Sequence, residues 1–139
     1  MTPTLSELIS DFELLDDWED RYRHVIELGR ALPPMDQALK TAATKVSGCA
    51  SQVWIYTTVQ HTPRGNQLLL EGDSDALIVK GLIAIVFIMF KPLTAQEIVA
   101  FDALAQFKKL GLQDHLTPQR ANGLASMVAR IKADALAAA

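Results

Sequence analysis

The one cysteine of the chain, Cys49, stands in a run of small residues, SGCAS at positions 47–51. Such a run predicts a tight connection with little side-chain bulk around the sulfur, which a thiol needs if it is to meet a reaction partner. The thiolate is the reactive form, and nothing in the stretch supplies a base. A lone cysteine is also commonly a small buried hydrophobe. The local sequence leaves the reactive and the structural interpretation about equally open.

A cysteine hydrolase would need a histidine within hydrogen-bond reach of Cys49 and a third group to orient that histidine. The chain has three histidines, His24, His61 and His115. The pattern predicts His24 on the surface of a helix, His61 at a turn and His115 just before a helix. Sequence spacing does not say whether any of them reaches the thiol, so a stand-alone hydrolase or acyltransferase stays an alternative.

Two further groups of residues carry charge that chemistry or binding could use. Asp73 and Asp75, on either side of Ser74, could supply carboxylates for acid–base work, although helix capping explains this cluster more simply. Arg120 is predicted in the first turn of the last helix, where the helix dipole makes a cation mildly unfavourable. That placement is either incidental or serves a partner. No glycine-rich phosphate loop, HExxH or paired CxxC motif occurs, so neither a metal nor a cofactor is expected.

The composition is typical of a soluble globular protein. The chain has 139 residues, of which 50% are hydrophobic and 21% charged, with a net charge of −3. This length predicts one domain spanning residues 1–139, and the acidic balance argues against a nucleic-acid partner. The longest apolar run, Leu82–Phe90, is too short to span a bilayer and predicts a buried helix. A lone cysteine forms no internal disulfide, so a reducing cytoplasm fits best.

Helix-start signals and a change of hydrophobic period predict an α+β fold, with helices, then a small antiparallel sheet, then more helices. Capping boxes indicate helices that begin at Thr4–Glu7 and at Thr94–Glu97. Asp16 or Asp17 is predicted to cap a second helix, and Thr117-Pro118 is a strong start signal for the last one.

The predicted sheet has three strands. β-branched and aromatic residues over Val53–Val59 predict a strand, and the turn residues HTPRGN lead into a return strand over Gln67–Glu71. Val46 is predicted to begin a third strand ahead of the cysteine. From Ser74 the chain is predicted to be helical to about Phe90, with Asp73 or Ser74 as its cap. Gly81 and Gly123, inside predicted helices, indicate close packing against a neighbour.

Four segments together resemble the SufE family of sulfur-acceptor proteins in bacterial iron–sulfur cluster assembly, which includes the related CsdE proteins. They are WEDRYRHVIELGRALP at 18–33, VSGCASQVW at 46–54, GDSDALIVKGLIAI at 72–85 and GLQDHLTPQRANGLASMVARIKADA at 111–135. One departure is Ala50, where family members often carry Gln; it leaves the thiol in place. The resemblance implies the fold shared with the IscU scaffold, a small antiparallel sheet with helices packed on one side.

The resemblance also implies a mechanism and partners. SufE-like proteins accept a persulfide sulfur from a pyridoxal-phosphate cysteine desulfurase of the SufS or CsdA type, here onto Cys49, and stimulate that enzyme. They pass the sulfur to a SufBCD-like scaffold, or in a CsdE-like relay to another acceptor. They hold no cofactor of their own, turn over no small molecule independently, and are plausible homodimers. We expect Cys49 to lie in an apolar pocket when unbound and to swing out on docking.

Further site residues follow from the same resemblance. Arg120 corresponds to the arginine that helps to engage the desulfurase. Asp73 and Asp75 are expected to position the cysteine loop or contact the partner, and Gln52 is expected to support the loop. Trp54 extends the cysteine motif, although simple core packing accounts for it more readily.

Overall fold

A computed structural model describes residues 3–112 and 115–139 of the chain. Over these residues the elements are, in order, α1 (Leu5–Glu13), α2 (Trp18–Arg30), a 3₁₀ turn (Gln37–Leu39), β1 (Val53–Thr62), β2 (Gly65–Ser74), α3 (Leu77–Phe90), α4 (Ala95–Ala100), α5 (Ala103–Lys109) and α6 (Pro118–Ala138). The mixed α+β prediction is confirmed, with helices on both sides of one hairpin in the sequence.

The helix starts follow the local signals in the sequence. Thr4 and Thr94 each accept a hydrogen bond from the N–H three residues on, and the glutamate there accepts one from the threonine's own N–H. Asp17 caps α2, Thr117 caps α6, and Pro118 occupies the first position of that last helix. Each cap satisfies N–H groups that have no partner inside the helix. Contacts of short range therefore suffice to fix these boundaries.

The sheet has two strands, not the three predicted. Val46 does lie beside β1, where its N–H donates to the Val53 carbonyl over 2.8 Å. The alignment amounts to a single bridge, Lys45↔Trp54. Gly48 has a φ of +86°, which takes the chain out of the extended conformation before a ladder can form. The sequence pattern placed extended backbone here correctly but overestimated its length.

The predicted start of α3 is also wrong. Ser74 is the last residue of β2 and pairs with Val53, so its backbone is extended, and the helix begins three residues later at Leu77. Its hydroxyl accepts from the Ala76 N–H at 3.2 Å, which stabilises the turn and not the helix. Ala76, at the N-cap position of α3, has no side-chain cap. Of the two residues predicted as the cap, Ser74 thus stabilises a local turn, and Asp73 pairs with Lys40 and Lys80.

α3 is the centre of the core. All of its residues from Gly81 to Phe90 are buried, because α2 covers one side and β2 and α6 cover others. At the crossing with α2, a Cβ on Gly81 would lie 2.5 Å from Val25 Cγ1, and a Cβ on Gly29 would lie 2.6 Å from the Gly81 nitrogen. The prediction of close packing at Gly81 is thereby confirmed. Apolar as α3 is, none of the helices in the described ranges has the length and hydropathy to cross a membrane.

Candidate functional site

The cysteine loop, residues 47–51, enters from a segment that is tied to β1. Val46 N–H donates to the Val53 carbonyl at 2.8 Å, and Ile55 N–H donates to the Thr44 carbonyl at 2.9 Å. Gly48 then reverses the chain with its positive φ, in the region that glycine populates most easily. A Cβ at this position would also come within 2.6 Å of the Ser126 hydroxyl. Backbone geometry and lack of space both require glycine just before the cysteine.

The other end of the loop is tied to the chain that leaves β2. Gln52 N–H donates to the Asp75 carboxylate at 3.0 Å, and Asp75 N–H donates back to the Gln52 carbonyl at 3.3 Å. The pair extends the antiparallel ladder by one step beyond the two strands. The structure therefore brings Gln52 and Asp75 together, and the Asp75 carboxylate accepts a backbone hydrogen bond. The loop is held at both ends and free of ladder bonds between them.

The sulfur of Cys49 rests against the first turns of α6. Cys49 is half-buried, and its Sγ lies 3.7 Å from the carbonyl oxygen of Gly123, within range of a weak S–H···O hydrogen bond. A Cβ on Gly123 would lie 3.7 Å from the sulfur, an ordinary van der Waals contact. The sequence predicted that Gly123 packs against a neighbour, and that neighbour is Cys49.

A cavity of about 230 Å³ opens beside the sulfur. We call it the cysteine pocket. The loop, α3 and α6 supply its walls. Its apolar side chains are Val53, Val79, Leu82, Leu124 and Met127. Its polar side chains are Ser51, Thr117, Gln119 and Arg120. Cys49 thus borders a cavity that is lined partly by apolar side chains and partly by polar ones, including the cationic Arg120.

Burial raises the pKa of the Cys49 thiol above its ordinary value. The thiolate is the nucleophilic form, so the thiol in this position is mostly protonated and reacts slowly at neutral pH. Exposure of the sulfur to water or to a cationic site would lower the pKa again. The reactivity of Cys49 therefore depends on how far the loop keeps the sulfur from water.

Arg120 is the predicted site residue that shares the cysteine pocket with Cys49. Its backbone N–H donates to the Thr117 hydroxyl at 3.2 Å, as part of the helix cap. The cap fixes the first turn of α6 and hence the origin of the arginine side chain. An anion formed on the sulfur would border the same cavity as this cationic residue.

Asp73 is outside the cysteine pocket and has partners of its own. Its carboxylate pairs with Lys40 at 2.7 Å and with Lys80 at 3.5 Å. The Lys40 ammonium lies 5.0 Å from the ring centre of Trp54, the cross-strand neighbour of Asp73. Burial alone would raise the Asp73 pKa, but hydrogen bonds from Lys40 and the Ser74 N–H and the charges of both lysines hold the pKa below its usual value. This ionised carboxylate is suited to holding segments together and not to proton transfer.

His24 is half-buried, which differs from the predicted surface position. Its ring packs edge-on against Phe12 with centres 5.2 Å apart, and its Nε2 atom is buried without a hydrogen-bond partner. The helical pattern did not show this, because α1, which supplies Phe12, packs over that side of α2. His24 serves the packing of these two helices.

The other two histidines also have local contacts. His115 stacks on Trp18 at 4.3 Å between ring centres, and His61 Nδ1 lies 2.6 Å from the side-chain oxygen of Asn66. Among the described residues no histidine lines the cysteine pocket. Within the same ranges, no three side chains of His, Cys, Asp or Glu come close enough to hold a metal ion. Within the described part of the chain, Cys49 thus has no histidine beside it that could act as the base of a hydrolase.

Sequence reasoning missed part of the site. On α6, Arg120, Gly123, Leu124 and Met127 follow helical spacing, so a search for residues on one face with Arg120 would have found the pocket wall. Val79 and Leu82 of α3, and the lysines that pair with Asp73, gave no such signal. They reach the site only through the packing of distant segments.

Comparison with solved structures supports the fold. The solution structure of a hypothetical protein from Thermus thermophilus superposes with a TM-score of 0.77, covering 99% of this chain and 97% of that one. Sequence identity is 18%, so this likeness concerns the fold alone.

Comparison of sequences identifies the family. A SufE-like protein of Rhizobium meliloti, described as uncharacterized, is 52% identical over 132 residues, covering 95% of this chain and 94% of the relative. A second such protein, from Rhizobium etli, is also 52% identical over 132 residues, covering 95% and 89%. The family model described as SufE, Fe-S metabolism associated domain, matches residues 6–135. The chain belongs to the SufE family.

Proposed function

We propose that the protein accepts a sulfur atom on Cys49 from the persulfide of a pyridoxal-phosphate cysteine desulfurase, and delivers it to an iron–sulfur cluster scaffold of the SufBCD type. The observation that carries the proposal is the cysteine pocket. A single half-buried thiol borders a cavity of about 230 Å³ with an apolar wall and an arginine at the rim. Family membership in Fe–S metabolism supports the same role.

The transfer is a thiol exchange that needs no external oxidant or reductant. The Cys49 thiolate attacks the terminal sulfur of the desulfurase persulfide, a new S–S bond forms at Cys49, and the S–S bond on the desulfurase breaks. The electron pair of the broken bond stays on the desulfurase cysteine, which leaves as a thiolate. The proton of the Cys49 thiol passes to solvent or to a base of the partner, since no histidine lines the pocket in the described residues.

Docking must therefore change the surroundings of the sulfur. At rest, burial keeps the Cys49 pKa high, which disfavours attack. Movement of the loop out of the pocket would lower the pKa and expose the sulfur to the partner. The loop has fixed ends, at Val46 and at Gln52, and the S–H···O contact with Gly123 is weak. On this proposal Asp75 positions the loop through Gln52, and docking stimulates the desulfurase by removing its persulfide.

The charged residues near the site are assigned supporting roles. Arg120 engages the desulfurase and afterwards faces the persulfide anion, because it lines the cavity into which the added sulfur would project. Asp73 holds Lys40 and Lys80 beside β2, and so supports the segments from which the loop departs. Neither residue needs to exchange a proton with the sulfur.

The test is the intact mass of the protein after incubation with a SufS-type desulfurase and cysteine, under non-reducing conditions. We expect the wild type to gain one or more sulfur atoms and Cys49→Ser to gain none. A desulfurase that is demonstrably active but leaves the wild-type mass unchanged would contradict the proposal. An equal gain in mass for the wild type and Cys49→Ser would show that Cys49 is not the sulfur acceptor.

A further inference from the structure

A larger cavity, of about 520 Å³, lies away from the cysteine pocket. α3 forms its floor, β2 forms one wall, and the end of α2 with the prolines that follow forms the other. The lining is mainly apolar and includes Leu28, Leu32, Pro34, Leu70, Phe87 and Ile88. We call it the β2 groove. Of the described residues, none lines both cavities, so the groove is a separate feature.

The wall formed by β2 is a free strand edge. Thr62 and Gly65 are the last pair before the two-residue turn. Residues 63 and 64 form no pair, so the N–H and C=O groups of Thr62 must bond directly with those of Gly65. Hydrogen-bonded and non-bonded pairs alternate along an antiparallel ladder. Leu70 and Gly72 therefore direct both their N–H and C=O groups away from β1. In the described ranges, no backbone hydrogen bond joins either residue to another segment.

Unpaired backbone groups beside an apolar surface are suited to binding an extended peptide. Peptide N–H and C=O groups that are removed from water must find partners, or they cost free energy comparable to a lost hydrogen bond. An extended peptide supplies both kinds of partner at the right spacing and fills an adjoining groove with alternate side chains. The outer edge is already engaged at Gln67, which forms a bridge with Thr94. The free part from Leu69 to Gly72 matches a strand of about four residues, roughly 10 Å long.

The charges at the groove indicate a direction. A Cβ on Gly72 would lie 2.9 Å from Phe87, and Gln67, five residues earlier, forms a bridge with Thr94, which follows α3. β2 and α3 therefore run antiparallel, and the end of α3 lies toward Leu68. Lys91 lines the groove at that end, and Glu71 lines it toward the other. Both side chains are exposed, and neither forms an ion pair with any described residue. A strand antiparallel to β2 would bring its carboxyl end to Lys91.

We propose that the β2 groove binds an extended apolar segment of a partner polypeptide, which adds a strand antiparallel to β2 and places its terminal carboxylate beside Lys91. The segment pairs with the backbone of Leu70 and Gly72, and its inward side chains contact Phe87 and Leu32. In this structure residues 118–138 are helical in α6, so that segment of a second copy does not offer an extended strand. The inference goes beyond sulfur transfer and uses no residue of the cysteine pocket.

The test is an NMR titration of the full ¹⁵N-labelled chain with a synthetic six-residue peptide of alternating valine and threonine that has a free C-terminal carboxylate. We expect chemical shifts to change along 68–72 and in the last turn of α3, and amide exchange at Leu70 and Gly72 to slow. A C-terminal amide should bind about fivefold more weakly, as expected for loss of an exposed ion pair. The same peptide with a central proline should not bind, because proline lacks the N–H that pairs with the edge.

Two pairs of variants test the assignment of the groove. Leu32→Asp puts a charge into its wall and should abolish binding, whereas Leu14→Asp, at a leucine that is 82% exposed outside the groove, should not. Lys91→Ala should reproduce the effect of the C-terminal amide, and Lys91→Arg should restore binding. Because Lys91 is exposed, this second pair remains informative if Leu32→Asp does not fold.

Several results would overturn the proposal. One is the absence of any change along 68–72 at millimolar peptide, and another is equal binding of the proline peptide. Decanoate that displaces the peptide and binds as tightly would assign the groove to small apolar carboxylates. Concentration-dependent broadening at the edge without peptide, with a dimer in sedimentation, would assign it to a second copy of the chain.

Discussion

α3 and α6 each use a glycine to admit a neighbouring segment, and the two contacts differ in kind. An added Cβ at Gly81 would lie 2.5 Å from Val25 Cγ1 and 2.8 Å from the Val25 carbonyl carbon. An added Cβ at Gly123 would lie 3.7 Å from the sulfur of Cys49 and 3.9 Å from its Cα. The first contact interlocks two helix backbones, whereas the second lets a loop rest on a helix at ordinary distances.

The difference separates the interlocked part of the molecule from the part that moves in the proposed function. The crossing of α2 and α3 cannot separate without opening the core, because Gly81 lies among buried residues on both sides. At Cys49 the loop touches α6 through one weak sulfur hydrogen bond and van der Waals contacts, and its closer approach, at Gly48, is to the side-chain hydroxyl of Ser126 and not to backbone. Its departure would separate no pair of packed helices. Replacing each of these glycines by alanine therefore measures how rigid the contact at that glycine is.

The largest effect is expected for Gly81→Ala. The added methyl group overlaps backbone atoms of Val25, which cannot rotate away, so the free energy of unfolding should fall by about 3 kcal/mol. The better helix propensity of alanine, about 1 kcal/mol, offsets only part of the overlap. Urea denaturation followed by circular dichroism measures the change. A loss below about 1 kcal/mol would show that the crossing yields as easily as a loop.

An intermediate effect is expected for Gly48→Ala. Alanine at a φ of +86° is strained, which costs about 1–2 kcal/mol, and its methyl group meets the Ser126 hydroxyl. The double variant with Ser126→Ala should recover the steric part and leave the backbone part, since the hydroxyl is removed and the remaining Cβ of residue 126 lies 3.5 Å from the added methyl group. Differential scanning calorimetry of the wild type, both single variants and the double variant separates the two contributions. Full recovery in the double variant would show that the backbone at residue 48 is not strained.

The smallest effect, and one of opposite sign, is expected for Gly123→Ala. The methyl group fits at van der Waals distance, and the helix gains up to about 1 kcal/mol from alanine. The same methyl group covers the sulfur, so alkylation of Cys49 by iodoacetamide should become slower at each pH. Asn122→Ala, at an exposed residue of α6 that does not line the cysteine pocket, serves as a control that raises helix propensity away from the sulfur. Destabilisation by Gly123→Ala would mean that loop and helix interlock as α2 and α3 do.

The parts of the fold that could be predicted from sequence depend on contacts of short range. The caps at Thr4, Thr94 and Thr117 involve residues within one helical turn, and the hairpin follows from residue preference and turn chemistry. The prediction of a third strand was wrong because the pattern around Val46 does not show where pairing stops. After the single bridge at Lys45, the positive φ of Gly48 directs the chain away from β1. A strand needs a partner along its whole length, and local sequence does not report where that partner stops.

The candidate site was predictable where one residue type is rare and unpredictable where packing decides. Cys49 and Arg120 stood out by type and position, and they share one cavity. The local pattern assigned Asp73 and Asp75 to a helix start, and the resemblance assigned them to loop positioning or partner contact. They contact Lys40 and Gln52, which lie more than twenty residues away. The β2 groove had no signal at all in the residues, because a free strand edge is a property of topology.

The two tied ends of the cysteine loop set a limit on reach. Val46 and Gln52 are held by backbone bonds, and Cys49 lies three residues from each. An extended chain spans at most about 3.3–3.6 Å per residue, so the backbone at Cys49 can travel no more than roughly 10 Å from either tether. In the proposed function, a donor whose persulfide lies much deeper than this below its own surface is out of range unless the donor opens. The length of the loop would then favour donors with shallow active sites.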